Sequence, residues 1–107
     1  MVCALVLVIP QAAVAQRREV HGVVLDHEGR AIRAAGVKLK DLRTLEIRSY
    51  ITDGDGAYHF ATLNPDIDYQ VQAVFDGRSS EVRILERFAS APDVTVNLRI
   101  DLRVPRP

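Results

Sequence analysis

The chain has 107 residues, of which 48% are hydrophobic and 6% aromatic, and its fourteen basic side chains balance fourteen acidic ones. This length suffices for one domain and not for two. The balanced charge leaves neither a basic stripe, which would indicate nucleic-acid binding, nor an acidic tail. The composition therefore predicts one small domain that does not bind nucleic acid.

The first fifteen residues, MVCALVLVIPQAAVA, carry no charge, and residues 4–9 are an unbroken apolar run. Ala13 and Ala15 supply the small side chains that signal peptidase requires before its cleavage site. Residues 1–15 are therefore predicted to be a secretory signal, although a cationic start is missing. A buried N-terminal strand is the alternative. A membrane span is disfavoured, because a bilayer needs roughly 20 apolar residues.

Cleavage after Ala15 would remove the only cysteine, Cys3, and leave residues 16–107. Those residues offer no thiol for a disulfide or for thiolate chemistry. We expect a domain that folds on its apolar core alone and that lies in the periplasm, at the envelope or outside the cell.

Seven segments beyond the signal have strand character, and turn residues separate them about every ten positions. The predicted strands are residues 19–25, 37–40, 45–51, 57–60, 69–75, 81–85 and 94–102, followed by a tail at 103–107. A sheet layer hides only one of its faces, so alternating strands require a second sheet. The sequence predicts an all-β fold, a seven-stranded antiparallel β-sandwich over residues 16–102.

The third predicted strand carries the candidate ligand site. Its apolar side chains, those of Leu45, Ile47 and Ile51, point one way. Its polar face carries the exposed ring of Tyr50 together with Glu46, Arg48 and Thr52. An exposed tyrosine beside charged side chains can stack on a sugar ring. A surface tyrosine that shields the hydrogen bonds of a sheet is the ordinary alternative.

The segment TDGDG, residues 52–56, raises the question of a metal site at Asp53 and Asp55. A helix–loop–helix calcium loop needs an oxygen ligand at its fifth position and a bidentate carboxylate at its twelfth. Counted from Asp53, those positions hold Ala57 and Asn64. The segment is typical of a hairpin turn in which an aspartate bonds nearby backbone. We predict a turn, and neither a metal nor a cofactor.

Other candidates for chemistry are weaker. The three histidines, His21, His27 and His59, are not at zinc-ligand spacing. Ser79 and Ser80 lack the nucleophile-elbow motif. The residues themselves therefore predict no catalytic activity.

Two stretches resemble the carboxypeptidase regulatory-like domain family. In VHGVVLDHEGRAIRAAGVKL, residues 20–39, the matching positions are Gly22, Val24, Asp26, Gly29, Ile32, Ala35 and Val37. In TDGDGAYHFATLNPDIDYQVQA, residues 52–73, they are Thr52, Asp53, Gly56, Tyr58, Phe60, Leu63 and Tyr69. The resemblance covers residues 19–102 and implies a transthyretin-like Greek-key sandwich, also grouped with carbohydrate-binding-like folds.

The resemblance rests on turns and core positions, so it implies a fold more than a function. Transthyretin-type hydrolases of this fold end in Tyr-Arg-Gly-Ser, whereas this chain ends in Arg-Val-Pro-Arg-Pro. Intradiol dioxygenases need two tyrosines and two histidines around iron, and the sequence offers only scattered ones. We expect a non-catalytic exported module with a structural or protein-interaction role, which a partner strand would join at a sheet edge. A weak carbohydrate-binding module around Tyr50 is the alternative, and a transthyretin-type hydrolase is less favoured.

Overall fold

The computed structural model describes residues 17–87 and 91–105, so the predicted signal lies outside the described residues, as does the end of the tail. Nine strands form within them: β1 (Arg18–Asp26), β2 (Gly36–Asp41), β3 (Ile47–Ile51), β4 (Ala57–Leu63), β5 (Tyr69–Phe75), β6 (Arg78–Ser79), β7 (Arg83–Leu85), β8 (Asp93–Thr95) and β9 (Leu98–Ile100). Each of the seven predicted strands is present. The differences are the two-residue β6 and the division of the last strand into β8 and β9.

The strands form two sheets. The first has the order β4-β1-β8, with β9 also on β1, and the second has the order β3-β2-β5-β6, with β7 also on β5. This confirms the all-β sandwich. All pairs are antiparallel except those of β1 with β8 and β9, which are parallel. Side chains alternate in the same way in parallel and antiparallel strands, so the sequence pattern does not reveal that β8 and β9 run parallel to β1.

The core fills the space between the sheets and follows the predicted alternation. The inward residues of β5, Tyr69, Val71 and Ala73, are at most 5% exposed. They meet buried residues of the other strands, among them Val20, Val24, Val37, Leu39, Tyr58, Phe60, Leu63, Leu98 and Ile100. One continuous apolar cluster therefore joins both sheets.

The last strand breaks where its backbone crosses Gly22 of β1. A Cβ atom on Gly22 would lie 1.9 Å from the carbonyl oxygen of Val96, so this approach requires glycine. The Tyr58 hydroxyl donates a hydrogen bond to the same carbonyl. Asn97 Oδ1 accepts a hydrogen bond from the Val23 backbone at 3.1 Å. The Val96 carbonyl at the break is thus bonded to β4, and the Val96 amide donates to the His21 carbonyl of β1 at 2.8 Å.

The face assignment predicted for β3 was wrong. Ile47 and Ile51 are 57% and 63% exposed, and Leu45 is 61% exposed. The opposite face turns inward, because Arg48 pairs with Leu39 and Tyr50 with Val37 on β2.

The physical reason is a buried hydroxyl at the end of β3. Thr52, 4% exposed, donates a hydrogen bond to the Ile32 carbonyl at 2.6 Å and accepts one from the Ala35 amide at 2.9 Å. These two bonds hold the face of β3 that carries Thr52 against the core. Because side chains alternate along a strand, Tyr50 and Arg48 must then share that inner side.

Candidate functional site

Strand β3 leaves one row of backbone groups unpaired by any described residue. Its bonds to β2 continue beyond both ends, since the Asp41 amide donates to Glu46 O at 2.9 Å and the Thr52 amide donates to Ala35 O at 2.9 Å. In an antiparallel ladder, alternate residues face the partner strand. The N–H and C=O groups of Ile47, Ser49 and Ile51 therefore point away from β2. Within residues 17–87 and 91–105, only β2 pairs with β3.

The other sheet edges are shorter or interrupted. The register between β1 and β4 shifts, which places a bulge near Thr62, a residue with φ of 63°. The carbonyl of Ala61 on the same edge already accepts a hydrogen bond from Arg48 at 3.2 Å. Strands β6, β7, β8 and β9 each have two or three residues. Bulges, short strands and inward-pointing charges are the usual protection of edges. β3 has no bulge and is longer than these four strands, and its one inward charge, Arg48, is bonded to the Ala61 carbonyl.

A cleft opens between the sheets beside β3. Its volume is about 390 Å³, and its lining consists of Leu39, Asp41, Glu46, Arg48, Thr62, Asn64, Ile67 and Tyr69. The buried side chains Leu39, Ile67 and Tyr69 give it an apolar floor. The Tyr69 hydroxyl accepts a hydrogen bond from the Asn64 amide at 2.9 Å. The charged groups Asp41, Glu46 and Arg48 give it a polar rim.

Electrostatics keep one rim carboxylate ionised. Asp41 Oδ1 accepts hydrogen bonds from the backbone of Thr44 at 3.0 Å and of Arg43 at 2.8 Å. The Thr44 amide is the main reason that the pKa of Asp41 lies below its usual range, and burial opposes it. The rim therefore combines a carboxylate that stays charged with the guanidinium of Arg48.

The structure brings only two of the three predicted ligand residues to this cleft. Glu46 and Arg48 line it. Tyr50 lies on the same face of β3 but packs against Phe60 in a T-shaped arrangement, with ring centroids 6.0 Å apart and planes at 69°. The ring is 38% exposed, so part of it remains available to a ligand.

Asp53 is engaged by its own turn. Its Oδ1 accepts hydrogen bonds from the amides of Asp55 at 2.9 Å and Ala57 at 3.0 Å. The Gly56 amide donates to Asp53 O at 3.0 Å, and Gly56 has the positive φ of 71° that favours glycine. Among the described residues, no group of three or more His, Cys, Asp or Glu side chains is placed to hold a metal ion.

Sequence reasoning missed a polar cluster on the outer face of the first sheet. His21 lies opposite His59. Its Nδ1 is 2.8 Å from Asp93 Oδ1 and its Nε2 is 3.0 Å from Thr95 Oγ1. This is a carboxylate–imidazole–hydroxyl relay, but acyl transfer also requires a cleft with oxyanion donors. The cleft beside β3 involves none of these three residues. The sequence gives no signal for the cluster, because the cluster depends on the parallel pairing of β8 with β1.

Solved structures share this fold at low sequence identity. The major pilin subunit BcpA of Bacillus cereus aligns at 10% identity and a TM-score of 0.63, over 79% of this chain and 30% of that one. Catechol 1,2-dioxygenase of Acinetobacter sp. ADP1 aligns at 12% identity and a TM-score of 0.63, over 92% of this chain and 59% of that one. The C-terminal domain of the shaft pilin SpaA of Lactobacillus rhamnosus GG aligns at 12% identity and a TM-score of 0.53, over 79% of this chain and 98% of that one.

These likenesses concern the fold alone, and this chain spans only about a third of BcpA and three fifths of the dioxygenase. A search among curated proteins found no match. The profile of one family does match, over residues 19–103, and its description is carboxypeptidase regulatory-like domain. The match covers nearly all of the sandwich and includes both stretches that carry the resemblance. The chain belongs to the carboxypeptidase regulatory-like domain family.

Proposed function

We propose that the protein is an exported, non-catalytic β-sandwich module that binds another protein chain through the free edge of β3. The observation that carries the proposal is that edge itself: five consecutive exposed residues without a bulge, a proline or a lysine. An extended partner segment would bond the N–H and C=O groups of Ile47, Ser49 and Ile51.

The surroundings of β3 suit such a strand on both of its faces. Its outward side chains would lie beside Ile47 and Ile51, whose exposed apolar surface they would cover. Its inward side chains would lie beside Arg48 and the cleft. Backbone bonds would thus give affinity, and the cleft would select the side chains that enter it.

The likeness to pilin subunits supports an assembly role outside the cytoplasm, as does the signal-like sequence of residues 1–15. Residues 17–87 and 91–105 contain no helix long and apolar enough to cross a membrane.

Site-specific photo-crosslinking in the exporting cell tests this proposal. A photoreactive amino acid at Ser49 is expected to give a covalent adduct with another polypeptide. The matched position is His59, which is also exposed on a strand but faces outward from the other sheet. Equal adduct formation from both positions would refute an interaction through the β3 edge. The absence of adducts from both positions would refute it as well.

A second candidate function, a weak carbohydrate-binding module, is favoured by the polar rim beside the half-exposed ring of Tyr50. Planar and charged side chains next to an aromatic ring suit sugar hydroxyls. A glycan array would show binding that Tyr50→Ala and Arg48→Ala both reduce, while Ile84→Ala, on the opposite edge of the same sheet, would leave it unchanged. Binding that survives Tyr50→Ala would remove this candidate.

A further inference from the structure

The sequence of β3 is symmetric in character about its central residue. Ile47 and Ile51 lie two positions on either side of Ser49, and all three present their backbone groups at the free edge. We infer that the chain bound at this edge is a second copy of the protein, with the two β3 strands antiparallel about a two-fold axis at Ser49. This inference rests on the proposed function and names its partner.

The backbone geometry suits this register. Ser49 would pair with Ser49 of the second copy, and Ile47 with Ile51 of the second copy. All of these residues belong to the row whose N–H and C=O groups no described residue pairs, so each pair can exchange both of its hydrogen bonds. The same patch serves both copies, as an isologous two-fold interface requires.

The side chains also match across this axis. On the outer face, each isoleucine would meet an isoleucine, and both are more than half exposed in the single chain. On the inner face, Arg48 would lie opposite Tyr50 of the second copy, where a guanidinium is attracted to an aromatic ring. No two like charges stand directly opposite each other, which would destabilise the pair. The two Arg48 side chains are diagonal neighbours roughly 7–8 Å apart, and each guanidinium has a partner in the Ala61 carbonyl of its own copy and the Tyr50 ring of the other.

The neighbouring lysines do not oppose this assembly. Lys38 lies beside Ser49 on β2 and would be three strand spacings, about 14 Å, from Lys38 of the second copy. That separation exceeds the screening length of roughly 8 Å at physiological ionic strength. A contact between two five-residue strands is small, so we expect reversible association that depends on protein concentration.

Disulfide trapping tests the register. In the full chain carrying Cys3→Ser, Ser49→Cys is expected to form a covalent dimer under mild oxidation. The Cα atoms of such a hydrogen-bonded pair lie about 5.5 Å apart, within disulfide range. Ile47→Cys in the same background should not form one, because its two copies would be offset by four residues. Failure of Ser49→Cys to cross-link, or equal cross-linking at both positions, would overturn the proposed register.

Sedimentation velocity tests the association without a new covalent bond. The unsubstituted protein is expected to shift from monomer to dimer as its concentration rises. Ile47→Lys should keep it monomeric, whereas Ile84→Lys, on the opposite edge of the same sheet and 50% exposed, should not. A protein that stays monomeric at all concentrations would overturn self-association. If Ser49 still gave adducts with a different protein in cells, the proposed function would stand and this inference alone would fail.

Discussion

Among single residues, Thr52 decides which face of β3 looks inward. Its hydroxyl holds the Ile32 carbonyl and the Ala35 amide in a buried position. Thr52→Val keeps the shape but leaves both backbone groups without this partner, and an unsatisfied buried group costs about 1–3 kcal/mol. We expect Thr52→Val to lower the free energy of unfolding in urea by about that amount.

The matched control is Thr44→Val. Thr44 is exposed, so water can replace the partners of its hydroxyl, which are the Glu46 amide at 3.3 Å and the Asp41 carboxylate. Its replacement is expected to leave stability within about 0.5 kcal/mol of the unsubstituted protein. Equal effects of the two substitutions would contradict the role given to Thr52.

Gly22 is the second residue on which the fold depends, because the Val96 carbonyl lies where a side chain would be. Gly22→Ala must push the last strand away from β1 and strain the Tyr58 and Asn97 bonds around it. We expect a loss of about 3 kcal/mol or more in the free energy of unfolding. Gly54→Ala is the comparison, since a Cβ atom at Gly54 meets nothing within 4 Å. Comparable losses in both variants would refute this explanation.

At the scale of elements, the turn between β3 and β4 is held by one carboxylate oxygen of Asp53. An asparagine can accept the same two backbone hydrogen bonds and an alanine cannot. In thermal unfolding, Asp53→Asn should therefore have a stability close to that of the unsubstituted protein. Asp53→Ala should lower the free energy of unfolding by about 1 kcal/mol. Calcium should leave all three melting temperatures unchanged. A rise with calcium that depends on Asp53 would mean that the segment is a metal site after all.

The strands themselves could be predicted. Strong alternation, such as that of Tyr69, Val71 and Ala73 with polar neighbours, indicates both a half-buried strand and the face that it buries. The orientation of β3 could not. Its isoleucines predict an inward face, because apolar side chains usually point to the core. They lie at an edge where burial is incomplete, however, and the buried hydrogen bonds of the Thr52 hydroxyl determine which face is inward. The sequence therefore grouped Glu46, Arg48 and Tyr50 on one face of the strand, but it took the opposite face for the inner one. Ligand binding by these three residues stays a prediction.

At the scale of the whole molecule, the pairing of strands that are far apart in the chain could not be predicted from the sequence. The parallel contact of β8 with β1 brings Asp93 and Thr95 to His21, across more than seventy positions of the chain. Nothing in the local pattern around any of the three indicates their proximity. The free edge of β3 is likewise a property of strand order, so the sequence predicted an edge interaction without predicting which edge.

The whole sandwich also depends on one buried phenol that links its strands. Burial raises the pKa of the Tyr58 hydroxyl, which therefore stays protonated and bonded to the Val96 carbonyl in the folded protein. An unfolded tyrosine releases its proton near pH 10. Only the unfolded state gains from deprotonation above that pH, so stability is complete below about pH 10 and falls as the pH rises beyond it.

Urea unfolding at a series of alkaline pH values measures this effect. Tyr58→Phe is expected to be less stable near neutral pH, because the Val96 carbonyl loses its donor. The same variant should show a shallower decline above pH 10, since the group responsible is gone. Tyr50→Phe, whose ring is partly exposed, should retain the steep decline. If instead Tyr58→Phe declines as steeply as the unsubstituted protein, the alkaline instability arises elsewhere and the buried phenol does not control it.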